Sequence, residues 1–188
     1  TLGKLGFKNF QIRINERRIL KAMAAYSGFP EESYDSVFII LDKMDKIGLE
    51  GVKEELIKYD FDEESVEKYT NLFKEIENKE NPVTYLAEKL DGFMDDDVKQ
   101  WMEEIIDSVR ATKASEFEIV FDPTLVRGMS YYTGTIFEIA IPEFGGSCGG
   151  GGRYDKMVGN FTGRDVPACG FSIGFERIVL LLMEQGFK

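Results

Sequence analysis

The sequence contains no histidine and only two cysteines, Cys148 and Cys169. Without histidine there is no imidazole for a zinc site and no Ser-His or Cys-His nucleophile. Two lone cysteines read as small buried residues rather than a disulfide framework. No apolar run approaches the ~20 residues that a membrane span requires, so no membrane partner is expected. The opening "TLGKLGFKNF" lacks the basic-then-apolar layout of a signal peptide, and a cytoplasmic location is the expectation. Basic residues are outnumbered 23 to 34, for a formal net charge of −11. Such a balance repels polyanions at long range: DNA is not an expected partner, and any RNA would need a local basic surface or another domain. Phosphate-loop signatures are missing too, with neither Gly-x-Gly-x-x-Gly spacing nor a Gly-Lys-Ser/Thr ending.

What is present is ordinary for a globular protein: 188 residues, 43% apolar and 30% charged, enough chain to bury a core. "FKNFQIRIN", residues Phe7 to Asn15, alternates Phe10, Ile12 and Ile14 against Asn9, Gln11 and Arg13, which predicts a half-buried strand. The period then lengthens. Val37, Ile40, Leu41 and Met44 fit one helix face, as do Val66, Tyr69, Phe73 and Ile76. A further helix is predicted from about Asp95, where the "DDD" carboxylates suit a helix N-terminus and Val98, Trp101, Met102, Ile105 and Val109 line up. Strand period returns with Phe117, Ile119 and Phe121, then over Thr135 to Ile141. The chain closes on a short apolar strand that turns at Gly174 into a helix, with Phe175, Ile178, Val179, Leu182 and Met183 as its apolar face. An isolated first strand whose partners lie a hundred residues away predicts an α+β sheet domain interrupted by an all-helical insertion, with residues 1–15 and 115–188 forming the sheet portion and 16–114 the insertion.

Three segments carry candidate chemistry. "LVRGMSYYTGTIFE" places Arg127, Tyr131 and Tyr132 in a loop before a strand. Taken alone, packing accounts for them better than chemistry does, with Arg127 paired to Glu138 or Asp122. "GGSCGGGG" is a linker by composition, yet it sits between strand-like runs, where glycines let a ligand or another backbone come close. "GFSIGFERI" puts Arg177 in the first turn of the last helix, beside N–H groups that favour anions, unless it merely snorkels from an apolar helix. The acidic runs "EESYD" and "FDEES" read as solvated surface.

Taken in order, "LVRGMSYYTGTIFE", "GGGRYD" and "GFSIGFERI" resemble the C-terminal part of the catalytic domain of the histidyl-tRNA synthetase family, class II aminoacyl-tRNA synthetases. The first segment is similar to the signature Arg-Gly-Leu-Asp-Tyr-Tyr and the last to the class II motif 3. The resemblance implies that the sheet is the class II antiparallel sheet, and that the parent enzyme activates histidine with ATP, aided by Mg2+, and charges tRNA(His) as a homodimer. It implies that Arg127 is the catalytic arginine at the α-phosphate and contacts both histidine and ATP. Tyr131, Tyr132, Tyr154, Gly150 and Gly151 are implied to bind histidine, with glycines 149 to 152 as the pocket floor, and Gly174 and Arg177 to bind ATP. No metal bound by the chain itself is expected. Met129 and Ser130 depart from the signature's Leu-Asp. Motifs 1 and 2 and an anticodon-binding domain have no counterpart, so the chain reads as a fragment that begins after motif 2 and is inactive alone. Two alternatives stay open: a synthetase-like regulatory subunit of ATP phosphoribosyltransferase, and a scaffold whose helical block is an interaction module.

Overall fold

The computed structural model describes residues 2–127, 131–141 and 145–186. Strand β1, Phe10–Glu16, sits between β2, Phe117–Phe121, and β3, Thr135–Ile141. Beyond β3 lie β4, Gly146–Arg153, and β5, Cys169–Ile173, giving the order β2-β1-β3-β4-β5. The first strand thus starts and ends later than the expected Phe7 to Asn15. Its partners are distant in sequence, as the pattern predicts: Ile12 stands opposite Ile119 on one side and Ile139 on the other. Four of the strands form antiparallel ladders, but β2 runs parallel to β1. Parallel neighbours need a long crossover, and the helical segment supplies it.

That segment contains α1, Arg17–Ser27, α2, Tyr34–Leu41, α3, Met44–Lys58, α4, Glu63–Glu77, α5, Pro82–Lys89, and α6, Asp97–Thr112. Several boundaries have a local cause. Gly28 ends α1 at φ 99, where its N–H reaches the carbonyls of Ala24 and Ala25. The Asp62 carboxylate caps α4 at Ser65 N, 2.9 Å away. Asn81 caps α5 at Thr84 N, and Pro82 follows at the first helical position. Val37, Ile40 and Leu41 do not share a helix with Met44, because α2 ends at Leu41 and α3 starts afresh. The "DDD" run does not cap α6 with a side chain. Asp97 instead binds Arg18 at 2.9 Å, with Asp95 at 3.6 Å.

The helices α1 to α6 share a core with the sheet. Ile19, Leu20, Met23, Leu41, Leu56, Tyr69, Leu72, Leu86 and Met102 pack into a cluster that also takes Ile14 of β1 and Ile136 of β3. Leu125 and Val126 join it, which seats the loop after β2. The buried Asn15 side chain ties that loop down: its Nδ2 donates to the Leu125 carbonyl at 3.0 Å, and Asp122 N donates to the Ile14 carbonyl at 2.9 Å.

Two short helices complete the fold, α7, Asp155–Thr162, and α8, Phe175–Glu184. The apolar face of α8 differs from its expected composition. Ile178 and Leu181 are its buried residues, in a second cluster with Phe7, Phe10, Ile141 and Cys148. Phe175 is 72% exposed and Met183 64%. The helix does carry an apolar stripe, but the side that packs is turned from it toward Leu181: Ile178 is shared by both, Leu182 is partly buried, and Phe175 is left outside.

Candidate active site

Strand alternation divides the sheet into two unlike faces. On one, Ile12, Ile14, Ile119 and Phe137 line an apolar cavity of about 530 Å³ under Trp101, Ile105 and Val109 of α6. It offers no charged group suited to a phosphate except Arg153 at its edge. The other face is polar. Arg13, Glu138, Gly150 and Ser172 follow one another across β1, β3, β4 and β5, and the next row runs Asn15, Ile136, Gly152 and Gly170.

Arg127 lies over the first row. Its Nε donates to Glu138 and its Nη2 to Ser147 Oγ. A Cβ at Gly150 would come 3.2 Å from both Cζ and Nε of Arg127, so the guanidinium rests on a strand that has no side chain there. Ser147 links two arginines, because its carbonyl accepts from Nη1 of Arg177. Two permanently charged forks therefore converge on one residue from different elements, the loop after β2 and the first turn of α8. Planar guanidinium groups match phosphate and carboxylate oxygens. Gly174, directly before α8, donates its N–H to the Cys148 carbonyl at 2.8 Å. A Cβ on it would meet only ordinary contacts, 3.4 Å from Arg177 Cδ and from the Cys148 carbonyl.

Over the second row stand the tyrosines. Ring centroids of Tyr131 and Tyr132 are 4.4 Å apart, and Tyr154 lies 6.5 Å from the first and 6.4 Å from the second. Tyr132 rests on Gly152, where a Cβ would be 2.9 Å from its ring, and the Tyr154 hydroxyl sits 2.3 Å from the Cβ position of Gly170. Burial, aided by a hydrogen bond with Tyr131, pushes the Tyr132 phenol up to about 12 against the opposing charge of Arg127. At neutral pH it is an uncharged hydroxyl, able to donate or accept. Tyr154 is fixed through its backbone, its N–H donating to the Ala168 carbonyl at 2.8 Å. Asp155 locks the same corner: its carboxylate accepts from Ala168 N and Arg153 Nε, both at 2.7 Å. Burial pushes that carboxyl up, but the Ala168 N–H and the Arg153 guanidinium outweigh it and hold it below the usual carboxylate range.

The structure thus brings together Arg127, Gly150, Tyr131, Tyr132, Tyr154, Gly174 and Arg177. Gly151 stands apart: alternation turns it to the opposite face, where a Cβ would be 2.1 Å from the Gly170 carbonyl. Its lack of a side chain serves the β4–β5 contact. Gly152 and Gly170 are the glycines beneath the tyrosines. A lone glycine inside an apolar strand was the available signal for Gly170, and nothing in the spacing marked Asp155. Met129 and Ser130 lie outside the described residues. Among the described residues no group of three or more His, Cys, Asp and Glu could hold a metal ion. Glu138, the carboxylate nearest the tyrosines and Gly150 in this row, is engaged by Arg127 and lies 3.6 Å from Arg13. These residues do not by themselves make a Mg2+ site.

Over nearly its whole length the chain is similar to known proteins. A family model described as histidyl-tRNA synthetase matches residues 1–178. A histidine--tRNA ligase of Leifsonia xyli subsp. xyli (strain CTCB07) is 44% identical over 186 residues, covering 97% of this chain and 43% of the relative. A crystal structure of histidyl-tRNA synthetase from Nostoc sp. PCC 7120 superposes with a TM-score of 0.80 at 28% identity, covering 98% of this chain and 44% of that one. The fold is also that of a Bacillus halodurans structure described as an ATP phosphoribosyltransferase regulatory subunit/histidyl-tRNA synthetase, with a TM-score of 0.72 at 23% identity, covering 96% of this chain and 46% of that one. The chain spans less than half the length of each of these proteins.

Proposed function

The chain belongs to the histidyl-tRNA synthetase family, and from that membership we propose that it is the part of a histidine--tRNA ligase that grips histidine and the α-phosphate of ATP. In this reading a histidine carboxylate oxygen attacks the α-phosphorus and the bond to pyrophosphate breaks; a tRNA(His) hydroxyl then attacks the acyl carbon of the histidyl-adenylate, and AMP leaves. Such a step needs positioning and positive charge more than a side-chain nucleophile, which suits a chain without histidine. The observation that carries the reading is the convergence of Arg127 and Arg177 on Ser147, next to the three tyrosines over Gly152 and Gly170.

Arg127 would meet the α-phosphate and the histidine carboxylate, and Arg177, with Gly174, the rest of ATP. Tyr131, Tyr132 and Tyr154 would read the imidazole, whose two ring nitrogens each need a partner. A buried hydroxyl left unpaired by an isostere costs about 1–3 kcal/mol, which is how such a pocket rejects near-matches. Mg2+ would arrive with ATP and screen its phosphates. Residues 16–114 are read as an insertion into the catalytic domain, the longer protein as a cytoplasmic homodimer, and the 188 residues alone as inactive.

Histidine-dependent exchange of pyrophosphate into ATP tests this. A longer protein that carries this chain is expected to exchange, and the 188 residues alone to show little or none. Absence of exchange in the longer protein, with stimulation of an ATP phosphoribosyltransferase, would instead establish the regulatory-subunit alternative, for which the fold likeness is the support.

A further inference from the structure

Glu138 is out of place on a face that would receive two anions, the histidine carboxylate and a triphosphate. A bare carboxylate there would repel both. Its surroundings give it another use. Glu138 stands between Arg13 and Gly150 in the sheet register, and its side chain is 13% exposed. One carboxylate oxygen takes Nε of Arg127, and the other lies 3.6 Å from Nη1 of Arg13. Arg13 is itself fixed by Asp122 and, at 3.1 Å, by Asp45 in the first turn of α3. Asp122 is held in turn by Thr124 N at 2.9 Å and Thr124 Oγ1 at 2.7 Å. The carboxylate is thus flanked by two guanidinium groups, one of them shared with Asp122 and Asp45, and held to a rigid strand.

We propose that Glu138 is a positioning residue: bound to Nε and backed by Arg13, it fixes the Arg127 guanidinium flat over Gly150 so that Nη hydrogens stay directed at the substrate phosphate. The choice of Nε matters. An arginine held by its inner edge keeps outer donors for a ligand beyond the one that Nη2 gives to Ser147, whereas a two-pronged pair through both Nη atoms would leave fewer. A long side chain that is 35% exposed would otherwise sample several rotamers, and misplacement of a transition-state donor by about 1 Å is enough to cost on the order of 100-fold in rate. Gly150 and Glu138 act together, the one making room beneath the guanidinium and the other holding its rim.

The inference rests on the adenylation role proposed for Arg127, and a double-mutant cycle in a longer protein that carries this chain separates the two. Arg127→Ala is expected to lower the exchange rate by about 100-fold. Glu138→Gln, which keeps the shape but removes the charge, is expected to lower kcat on the order of 10-fold with KM for histidine and ATP within about twofold. In the Arg127→Ala background it should add less than about twofold, because nothing remains to position. Glu138→Asp keeps the charge between the arginines but withdraws it by one methylene, and it should show the same kcat loss should the Gln variant fold poorly. Additive losses in the double variant, or full kcat in both Glu138 variants, would overturn the positioning role while leaving Arg127 as assigned. Near-normal exchange in Arg127→Ala would remove the underlying reading whatever Glu138 does.

Discussion

Glu138 and Gly150 face each other across the β3–β4 ladder, and the Arg127 guanidinium lies over the pair. One supplies the charge that holds the arginine and the other the missing side chain that admits it. The same device recurs one row along, where Gly152 and Gly170 make room for Tyr132 and Tyr154. The site therefore depends on absences in the strands as much as on the groups above them, and substitutions that fill those absences probe it directly.

Gly170→Ala is the most selective of these. The nearest atoms to its new methyl belong to Tyr154 alone, at 2.3, 3.2 and 3.3 Å. The ring must move while the strand stays. In the longer protein, KM for histidine is expected to rise on the order of 10-fold, corresponding to about 1.4 kcal/mol, with the unfolding midpoint little changed. An unaltered KM would take Tyr154 out of the histidine pocket.

Gly174→Ala makes the opposite use of sterics. With only 3.4 Å contacts to Arg177 and the Cys148 carbonyl, the alanine fits, and stability should stay within about 0.5 kcal/mol. Should the open space belong to the nucleotide, KM for ATP rises several-fold while KM for histidine does not. Unchanged ATP kinetics would show that Gly174 faces no nucleotide.

Asp155 predicts a pH-dependent effect on stability. Its carboxyl titrates below the usual range, so its contribution is fully present above the unfolded value of about 3.9 and is lost as pH falls through the lower folded value. Asp155→Asn should therefore destabilise by about 1 kcal/mol at pH 7, and the gap between variant and parent should close below about pH 4. Urea titrations at several pH values read this out. A gap that stays constant down to pH 2 would mean that the charge of Asp155 does no structural work.

In the helical core, Tyr69 is fully buried between Phe29 and Phe73, and its hydroxyl has no hydrogen-bond partner among the described residues. Burial pushes that phenol up, as expected of a polar group without compensation. Tyr69→Phe should leave packing intact and raise stability by up to about 1 kcal/mol, seen as a higher unfolding midpoint. A loss of stability would reveal a partner for the hydroxyl.

Much of this architecture was readable in the sequence where a period was clean. The run Thr135 to Ile141 is β3 residue for residue, and Val66, Tyr69, Phe73 and Ile76 all face the core. The period was less exact on α8, where the packed side is turned from the apolar stripe toward Leu181. It was silent on the glycines, since composition alone made "GGSCGGGG" a linker, and only its place between strand-like runs, followed by "RYD", pointed to the strand that is β4. For Arg127 the packing reading describes a real contact, its pair with Glu138, and the same geometry sets it beside Arg177 at Ser147. Arg13, Asp45 and Asp122 could not have been joined by spacing, because they meet only through the parallel β1–β2 ladder and the turn into α3.

The placement of β1 between two strands that come more than a hundred residues later has a consequence for synthesis. At the usual pace of a ribosome, the residues between β1 and β2 take roughly 5–20 s to emerge. Throughout that interval β1 has no partner for either of its edges, while α1 to α6 are already available to collapse around Ile14. Closing the sheet then requires non-local pairings, which form slowly. The helices are a head start on the core, and the polar face that carries Arg127 is the last part of these 188 residues to be assembled.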